Sequence, residues 1–225
     1  MTDSSPVEKR PGLRARLQDA AEEWIYRLNE RGSFIFRIYD LSNEIFSRIR
    51  FSGLRRRASH LDVSFITRTD LEARIRFLRP DDEAPFAEML SQLDARYLPP
   101  HSTDPAGAAD ALQRASYLPF GIFVEGDLVG YLLLRLFYPS RAVTGIWTLA
   151  RTHNMGLGQE ALRQTAAFTQ SEGLPDYATI PIDNRNSVRM ANAAGWQVVR
   201  TNRRFHVLLW QESAPEHDPE ERKIS

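Results

Sequence analysis

A Gly-x-Gly turn between an apolar run and a helical pattern is the segment of this sequence best suited to hold a ligand. Val143, Ile146 and Leu149 predict a strand before the turn, which contains Gly156 and Gly158. The first N–H groups of the helix that follows have no intrahelical partner and lie at the positive end of its dipole, so they can bind a phosphate. Because glycine has no Cβ, both glycines are expected to let the backbone approach that ligand closely. The same spacing also suits a plain strand-to-helix turn.

A second strand-to-helix junction follows one crossover later. Residues 178–183 predict a short buried strand, and residues 184–194 carry apolar side chains at near-helical spacing until Gly195 ends the pattern. Ligands of open parallel sheets bind at the carboxyl ends of the strands, especially where neighbouring strands diverge. Both junctions are therefore predicted to face one crevice.

These two junctions resemble motifs A and B of the GNAT superfamily of acyl-CoA N-acyltransferases. Motif A, Arg/Gln-x-x-Gly-x-Gly/Ala, corresponds to residues 153–158, where His153 replaces the usual Arg or Gln. Motif B corresponds to residues 184–187 (Asn-Arg-Asn-Ser), followed by Gly195 and Trp196. The resemblance extends over about residues 74–210.

The resemblance implies a mixed α/β (α+β) fold with a largely antiparallel sheet and a splayed parallel pair of strands in its centre. The implied order is β-α-α-β-β-β-α-β-α-β-β. Strands are predicted at 73–80, 120–125, 128–137, 144–150, 177–183, 196–200 and 203–210, and helices from Pro80 and over 105–116. Residues 62–72 are predicted to be a transitional segment.

The resemblance also implies acetyl-CoA as co-substrate, bound between the splayed strands without a metal. An amide near Leu149 or Ala150, at the end of the central strand, would polarise the thioester. The Asn184 amide would contact pantetheine, and Ser187 would cap the next helix or assist there. The residues implied to bind the cofactor are Leu149, Ala150, His153, Asn154, Met155, Gly156, Leu157, Gly158, Gln159, Asn184 and Ser187.

Groups that could move protons are few. Ala191 stands where many members of the superfamily carry the Tyr that protonates the departing thiolate, and the central strand has no carboxylate. The catalytic candidates are Asp183 and His206 as bases and Tyr138 as an acid, with His101 and Tyr177 as further candidates. Each also has a purely structural or solvated interpretation, and a chain of ordered water is an alternative proton path.

Composition limits the class of protein. The 225-residue chain is 42% hydrophobic, which suffices for a core, and it contains no cysteine. Its five histidines are scattered without ligand spacing, so no metal site is predicted. A formal net charge of zero gives no reason to expect a nucleic-acid partner. No apolar run suggests a signal peptide or a membrane span, and a cytoplasmic protein is predicted.

The N-terminal part is predicted to be a helical extension. Apolar residues at helical spacing predict helices over 13–28 and 34–49, although residues 32–39 would also suit a strand. Residues 46–57 contain five arginines and no acid, a pattern that also occurs in helices bound to anionic membrane surfaces. Packing of these helices on the domain or on a second subunit is favoured over membrane binding. Formation of a homodimer through the extension is the preferred interpretation. The predicted divisions are residues 1–70 (extension, with a mobile start), 71–211 (acetyltransferase domain) and 212–225 (acidic flexible tail).

The function implied is an acetyl-CoA-dependent N-acetyltransferase that acts on a primary amine of a small molecule, with an amino sugar or nucleotide-linked sugar as the first expectation. A protein N-terminus or side chain is the alternative acceptor. A catalytically silent acyl-CoA-binding module of the same fold is the alternative from another class of function.

Overall fold

The computed structural model describes residues 34–93, 105–138 and 140–210 of the chain. The chain divides into two compact units, Met1–Ser42 and Asn43–Ser225. The predicted helix over 13–28, the loop with His101 and the acidic tail lie outside the described residues. The predicted domain divisions at residues 70 and 211 stay predictions.

The elements of the described residues follow the predicted order from the second strand onward. None of these helices is long and apolar enough to cross a membrane. Two 3₁₀ turns, Pro80–Asp82 and Ala150–Thr152, precede helices α3 and α5. In chain order the elements are α1 (Phe34–Arg50), α2 (Ser52–Ala58), β1 (Asp62–Ile66), β2 (Glu72–Phe77), α3 (Glu83–Ser91), α4 (Pro105–Gln113), β3 (Tyr117–Val124), β4 (Asp127–Phe137), β5 (Arg141–Thr148), α5 (Leu157–Ser171), β6 (Asp176–Pro181), α6 (Arg185–Ala193), β7 (Trp196–Thr201) and β8 (Phe205–Trp210).

Eight strands form one sheet in the order β1-β2-β3-β4-β5-β6-β8-β7. All neighbouring pairs are antiparallel except β5 and β6, which are parallel and lie at the fifth and sixth positions. The predicted fold class, a largely antiparallel sheet with a parallel pair inside it, is confirmed.

The segment predicted as transitional is a strand and a tight turn. Residues 62–66 form β1, which pairs with β2 from Asp62 opposite Arg76 to Ile66 opposite Glu72. Val63 and Phe65 are half-buried and alternate with exposed neighbours, as expected for an edge strand with one packed face. The strand extends the sheet beyond the predicted first strand of the domain.

Several predicted boundaries move by a few residues. The chain from Phe34 is helical, so the strand alternative is wrong for residues 34–39, and residues 32 and 33 lie outside the described residues. Helix α4 ends at Gln113 rather than at residue 116, and β3 begins at Tyr117 rather than at residue 120. The central strand spans residues 141–148 rather than 144–150, because Ala150 already starts a 3₁₀ turn.

Side chains of β4 alternate between two hydrophobic clusters on opposite faces of the sheet. Leu132, Leu134 and Leu136 belong to the cluster that also contains residues of α2, α5 and α6. Tyr131 and Leu133 belong to the cluster that contains residues of α3 and α4. All five are at most 1% exposed. Helices thus cover both faces of the sheet. Because α5 and α6 pack on the same face, their positions are fixed relative to the ends of β5 and β6.

Two side chains of α1 attach the helix to the sheet. The Asn43 Nδ2 donates to the Leu136 carbonyl at 2.9 Å, and its Oδ1 accepts from the Tyr138 N–H at 3.1 Å. The Glu44 carboxylate accepts the Ala115 N–H at 2.7 Å and the Ser116 hydroxyl at 2.8 Å. Burial opposes ionisation of Glu44, but these donors outweigh it and lower its pKa.

Candidate functional site

The parallel pair of strands separates before either strand ends. Pairing between β5 and β6 begins at Ala142 opposite Asp176 and stops at Thr144 opposite Ala178. β5 nevertheless continues to Thr148 and β6 to Pro181. A wedge therefore opens between residues 145–148 and residues 179–181, towards the carboxyl ends of both strands.

The hydrogen bonds of β5 show which backbone groups face this wedge. Leu149 N–H donates to the Val129 carbonyl of β4 at 2.8 Å, and Ala142 N–H donates to the Pro175 carbonyl next to β6 at 2.9 Å. Because backbone groups of a strand alternate in direction, odd positions bond to β4 and even positions face the other side. The N–H groups of Ile146 and Thr148 consequently face the wedge.

This alternation argues against one of the two residues predicted to supply the polarising amide. Leu149 had been predicted as one of two donors near the end of the strand, but its N–H is already bonded to Val129. Ala150, the other predicted donor, is exposed in the 3₁₀ turn beyond the strand, and its role stays a prediction. Ile146 and Thr148 are the residues of β5 whose N–H groups remain available to an extended ligand in the wedge.

A structured loop connects the open end of β5 to α5. Thr152 is buried and its hydroxyl donates to the Leu149 carbonyl at 2.8 Å, while His153 and Asn154 are exposed. Asn154 adopts a φ of 68°. The loop therefore turns the chain from the wedge directly into the first turn of α5.

Helix α5 begins at a glycine with a left-handed backbone. Gly156 is the N-cap, with a φ of 85°, a conformation that glycine adopts at little cost. Within the described residues, no side chain caps the helix and the N–H groups of Leu157, Gly158 and Gln159 donate to no backbone carbonyl. These groups form an open helix terminus of the kind that can bind phosphate, and the predicted phosphate-binding role stays a prediction.

The second glycine, Gly158, is constrained by packing as well as by the predicted approach of the ligand. A Cβ on Gly158 would overlap the Sδ of Met190 on α6. Gln159 strengthens the same contact, because its Nε2 donates to the Ala193 carbonyl at 2.8 Å. Gly158 therefore leaves room for the Met190 side chain of α6, and the prediction that a Cβ there would also collide with the ligand stays a prediction.

Replacing Gly158 with Ala is expected to destabilise the protein by about 1–3 kcal/mol, the usual cost of overpacking. The added methyl group displaces Met190, so Met190→Ala in the same chain is expected to recover most of the loss. Urea unfolding of both single variants and the double variant measures this coupling.

Gly53→Ala is the matched control for that experiment. Gly53 also occupies the second position of a helix, α2, but is exposed and faces only the flexible Arg57 side chain. Its replacement should be neutral or slightly stabilising. Loss of ligand affinity in Gly158→Ala without rescue by Met190→Ala would support the ligand-collision interpretation.

The N-cap of α6 is Asn184 rather than Ser187. Its side-chain oxygen accepts the Ser187 N–H at 3.1 Å, so the Ser187 backbone is the capped group and the predicted capping role of its side chain is wrong. Asn184 retains its Nδ2 for other contacts.

Asp183 and His206 lie at the same end of the sheet as the loop before α5. Asp183 is exposed, just after β6, and His206 of β8 is opposite Ile180. The Nδ1 of His206 is 2.9 Å from the Thr201 hydroxyl oxygen. His206 also lines an open depression of about 610 Å³ together with Ile182, Arg185, Val188 and Arg189.

Tyr138 lies at the opposite end of the sheet. It follows β4, whose last residue Phe137 pairs with Arg141 at the start of β5. The length of β5 therefore separates it from the loop, roughly 24 Å at the usual rise per residue. Its ring packs against Phe46 of α1 with centroids 4.8 Å apart. Tyr177, at the start of β6, also lies at this closed end.

Ala191 is fully buried in the core and carries no ionisable group. Among the described residues, no cluster of three or more His, Asp or Glu side chains could hold a metal ion.

Arg68 is a residue of the site that the sequence alone did not reveal. It lies in the turn between β1 and β2, and its N–H donates to the Met155 carbonyl at 3.1 Å. Its side chain crosses Gly156, where a Cβ would lie 3.3 Å from the Arg68 Nε. The alternation of Val63 and Phe65 was the signal that could have predicted the strand leading to it.

Comparison with known proteins agrees with this geometry. A model of the acetyltransferase (GNAT) domain matches residues 72–197, more than half of the chain. No curated protein shows significant sequence similarity to the chain.

Similar solved structures share the fold at low sequence identity. The GNAT domain of the S. lividans protein PAT is 13% identical, with a TM-score of 0.60 over 68% of this chain and 97% of that chain. The PaiA N-acetyltransferase of Thermoplasma acidophilum, in complex with coenzyme A, is 13% identical, with a TM-score of 0.53 over 62% of this chain and 99% of that chain. Mycobacterium smegmatis RimJ, in complex with CoA-disulfide, is 16% identical, with a TM-score of 0.50 over 66% of this chain and 85% of that chain.

Proposed function

Because the chain belongs to the GNAT acetyltransferase family, we propose that it transfers the acetyl group of acetyl-CoA to a primary amine of a small molecule. Amino sugars and nucleotide-linked sugars are the first acceptors to test, and protein amines are the alternative. The wedge between β5 and β6 carries this proposal, because it combines unpaired strand backbone with an open helix N-terminus.

The residues around the wedge fit acetyl-CoA. An extended pantetheine arm can pair with the even-numbered backbone groups of β5 at Ile146 and Thr148, as an added strand would. The diphosphate can accept hydrogen bonds from the N–H groups of Leu157 and Gly158. Acetyl-CoA supplies an activated thioester, whose carbonyl carbon accepts the amine nitrogen.

Ile146 is the proposed donor to the thioester oxygen. A ligand that starts at α5 and runs into the wedge ends where the strands close, at Thr144. The Ile146 N–H is the deepest wedge-facing donor before that point. A fixed donor of this kind stabilises the negative charge that develops on the carbonyl oxygen as the amine adds.

Asp183 and His206 are the proposed acceptors for the proton that the attacking amine loses. His206 lies opposite Ile180, which by the register of β5 and β6 is level with Ile146, whereas Asp183 lies about 10 Å nearer the open end. A water molecule between the base and the amine is an alternative route. Ala191 provides no acid, so we propose that the thiolate leaves into solvent or takes its proton from water.

A silent acyl-CoA-binding module is the second candidate function. The observation that favours it is the lack of an acid at Ala191, which is fully buried, together with the absence of Asp or Glu from β5. Such a module would bind coenzyme A in the same wedge without consuming the thioester.

Thiol release from acetyl-CoA by the purified protein, with amino sugars, polyamines, amino acids and peptides as acceptors, tests the proposal. Calorimetry measures coenzyme A binding in parallel. Turnover with one acceptor class would establish the enzyme and its substrate class. Binding without turnover would favour the silent module, and no binding would contradict both functions.

A further inference from the structure

The turn between β1 and β2 is a built structure that contacts the proposed diphosphate site. Its buried Thr67 bonds back to Leu71 at 2.9 Å through the backbone, and the Thr67 hydroxyl accepts the Leu71 N–H at 3.1 Å. Asp70 adopts a φ of 59° within the turn. These bonds fix the direction in which Arg68 leaves the turn.

Two contacts place the Arg68 side chain across the N-terminus of α5. Its backbone N–H bonds to Met155, immediately before the N-cap Gly156. Its Nη2 donates to the Gln159 Oε1 at 2.6 Å, and Gln159 is itself held by α6. The guanidinium therefore lies beside the first turn of α5.

Within residues 34–93, 105–138 and 140–210, no carboxylate forms an ion pair with Arg68. The side-chain acceptor of Arg68 is a neutral amide. Glu160, the acidic residue of the first turn, is paired with Arg163 and Gln164. The Arg68 guanidinium thus lies beside Gly156 and Gln159, next to the N–H groups of the first turn of α5 that have no backbone acceptor among the described residues.

We propose that Arg68 binds the diphosphate of acetyl-CoA. This inference rests on the proposed function. It adds to the proposed cofactor site a residue that precedes the matched family domain, which begins at residue 72. Strand β1 and its turn thereby complete the cofactor site. A guanidinium offers a planar pair of donors to phosphate oxygens, which the backbone N–H groups of α5 alone do not provide.

Replacing Arg68 with Gln is expected to weaken the binding of coenzyme A by about tenfold or more, the usual effect of losing a charge-assisted hydrogen bond. The same factor is expected for 3′-dephospho-coenzyme A, because that molecule keeps the diphosphate. Calorimetric titration of both compounds into wild-type and Arg68→Gln protein measures the two factors.

Arg56→Gln is the matched control, because it removes one positive charge from an exposed position on α2. It should leave the affinities for both compounds unchanged. This result would distinguish a direct contact by Arg68 from the long-range attraction that any positive charge exerts on an anionic ligand. Urea midpoints of the two variants show whether either change alters the fold. Arg68→Lys should bind with intermediate affinity, since it keeps the charge and loses the paired donors.

Each outcome bears on the inference. Equal affinity of Arg68→Gln and wild type would overturn it while leaving the proposed function intact. A loss seen with coenzyme A but absent with the dephospho compound would overturn the assignment to the diphosphate and point to the 3′-phosphate. A wild-type protein that binds neither compound would overturn the proposed function itself, and this inference with it.

Discussion

Asp176→Asn is expected to raise the stability of the protein at pH 8 and to leave it nearly unchanged at pH 4. Asp176 is 4% exposed, and burial raises the pKa of its carboxyl from 3.8 to about 7, although bonds from Thr144, Thr169 and the Tyr177 N–H oppose the shift. A shift of this size corresponds to up to about 4 kcal/mol of unfolding free energy.

The sign follows from proton binding. Between pH 3.8 and about 7 the native carboxyl is protonated and the unfolded one is ionised, so the native state holds more protons. The contribution of Asp176 is therefore fully present below pH 3.8 and is lost as the pH rises towards 7. Asn resembles the protonated carboxyl in shape and in having one donor and one acceptor, so the variant escapes this loss.

Urea unfolding of the parent and Asp176→Asn at pH 4, 5, 6, 7 and 8 measures the effect. The difference in unfolding free energy should grow with pH by at most about 1.4 kcal/mol per unit, the value for one proton. Asp127→Asn, at an exposed position after the β3–β4 turn, should follow the parent at every pH. Parallel curves for Asp176→Asn and the parent would contradict the prediction.

The location of Asp176 connects this titration to the wedge. The Thr144 hydroxyl donates to the Asp176 carboxyl oxygens at 2.7 and 2.9 Å, and Thr144 is the last residue of β5 that pairs with β6. The carboxyl thus belongs to the closed end of the parallel pair, opposite the proposed ligand site. A change there is expected to alter folding stability more than chemistry.

The sequence predicts those parts of the site that are contiguous in the chain. The loop, Gly156 and the first turn of α5 follow one another, so strand, glycine and helix patterns suffice to place them. Asn184 and Ser187 were placed at the right junction, but which of them caps α6 depends on backbone angles at Asn184 that residue type leaves open.

Features that depend on strand register could not be predicted. The Leu149 N–H is used because Leu149 lies opposite Val129, and a shift of one residue would have turned it towards the wedge. Tyr138 is remote because β4 and β5 are antiparallel. Arg68 reaches Gln159 across 91 positions of the chain through a hairpin that sequence analysis treated as transitional.

Ile146→Pro is expected to reduce the turnover number by about a hundredfold or more, the usual effect of removing a donor to a developing oxyanion. Proline lacks an N–H, and the Ile146 N–H faces the wedge rather than β4, so no bond of the sheet is lost. The expected kinetic pattern is a fall in kcat with a much smaller change in coenzyme A affinity, measured by thiol release and calorimetry.

Proline substitutions at neighbouring positions distinguish the loss of the Ile146 donor from general disruption of strand β5. Thr148→Pro removes the other wedge-facing N–H, nearer the open end, and is expected to raise KM for acetyl-CoA more than it lowers kcat. Gly145→Pro has the opposite parity, so it removes a bond to β4 at the pair with Leu133, and its Cβ would also overlap the Trp147 ring; it should destabilise the fold in urea. Val143→Pro, at the pair with Arg135, has the same parity and already carries a Cβ, so it isolates the effect of the lost bond. A stable Gly145→Pro protein, or an Ile146→Pro protein with the parent's kcat, would show that the alternation along β5 does not direct the Ile146 N–H to the reacting carbonyl.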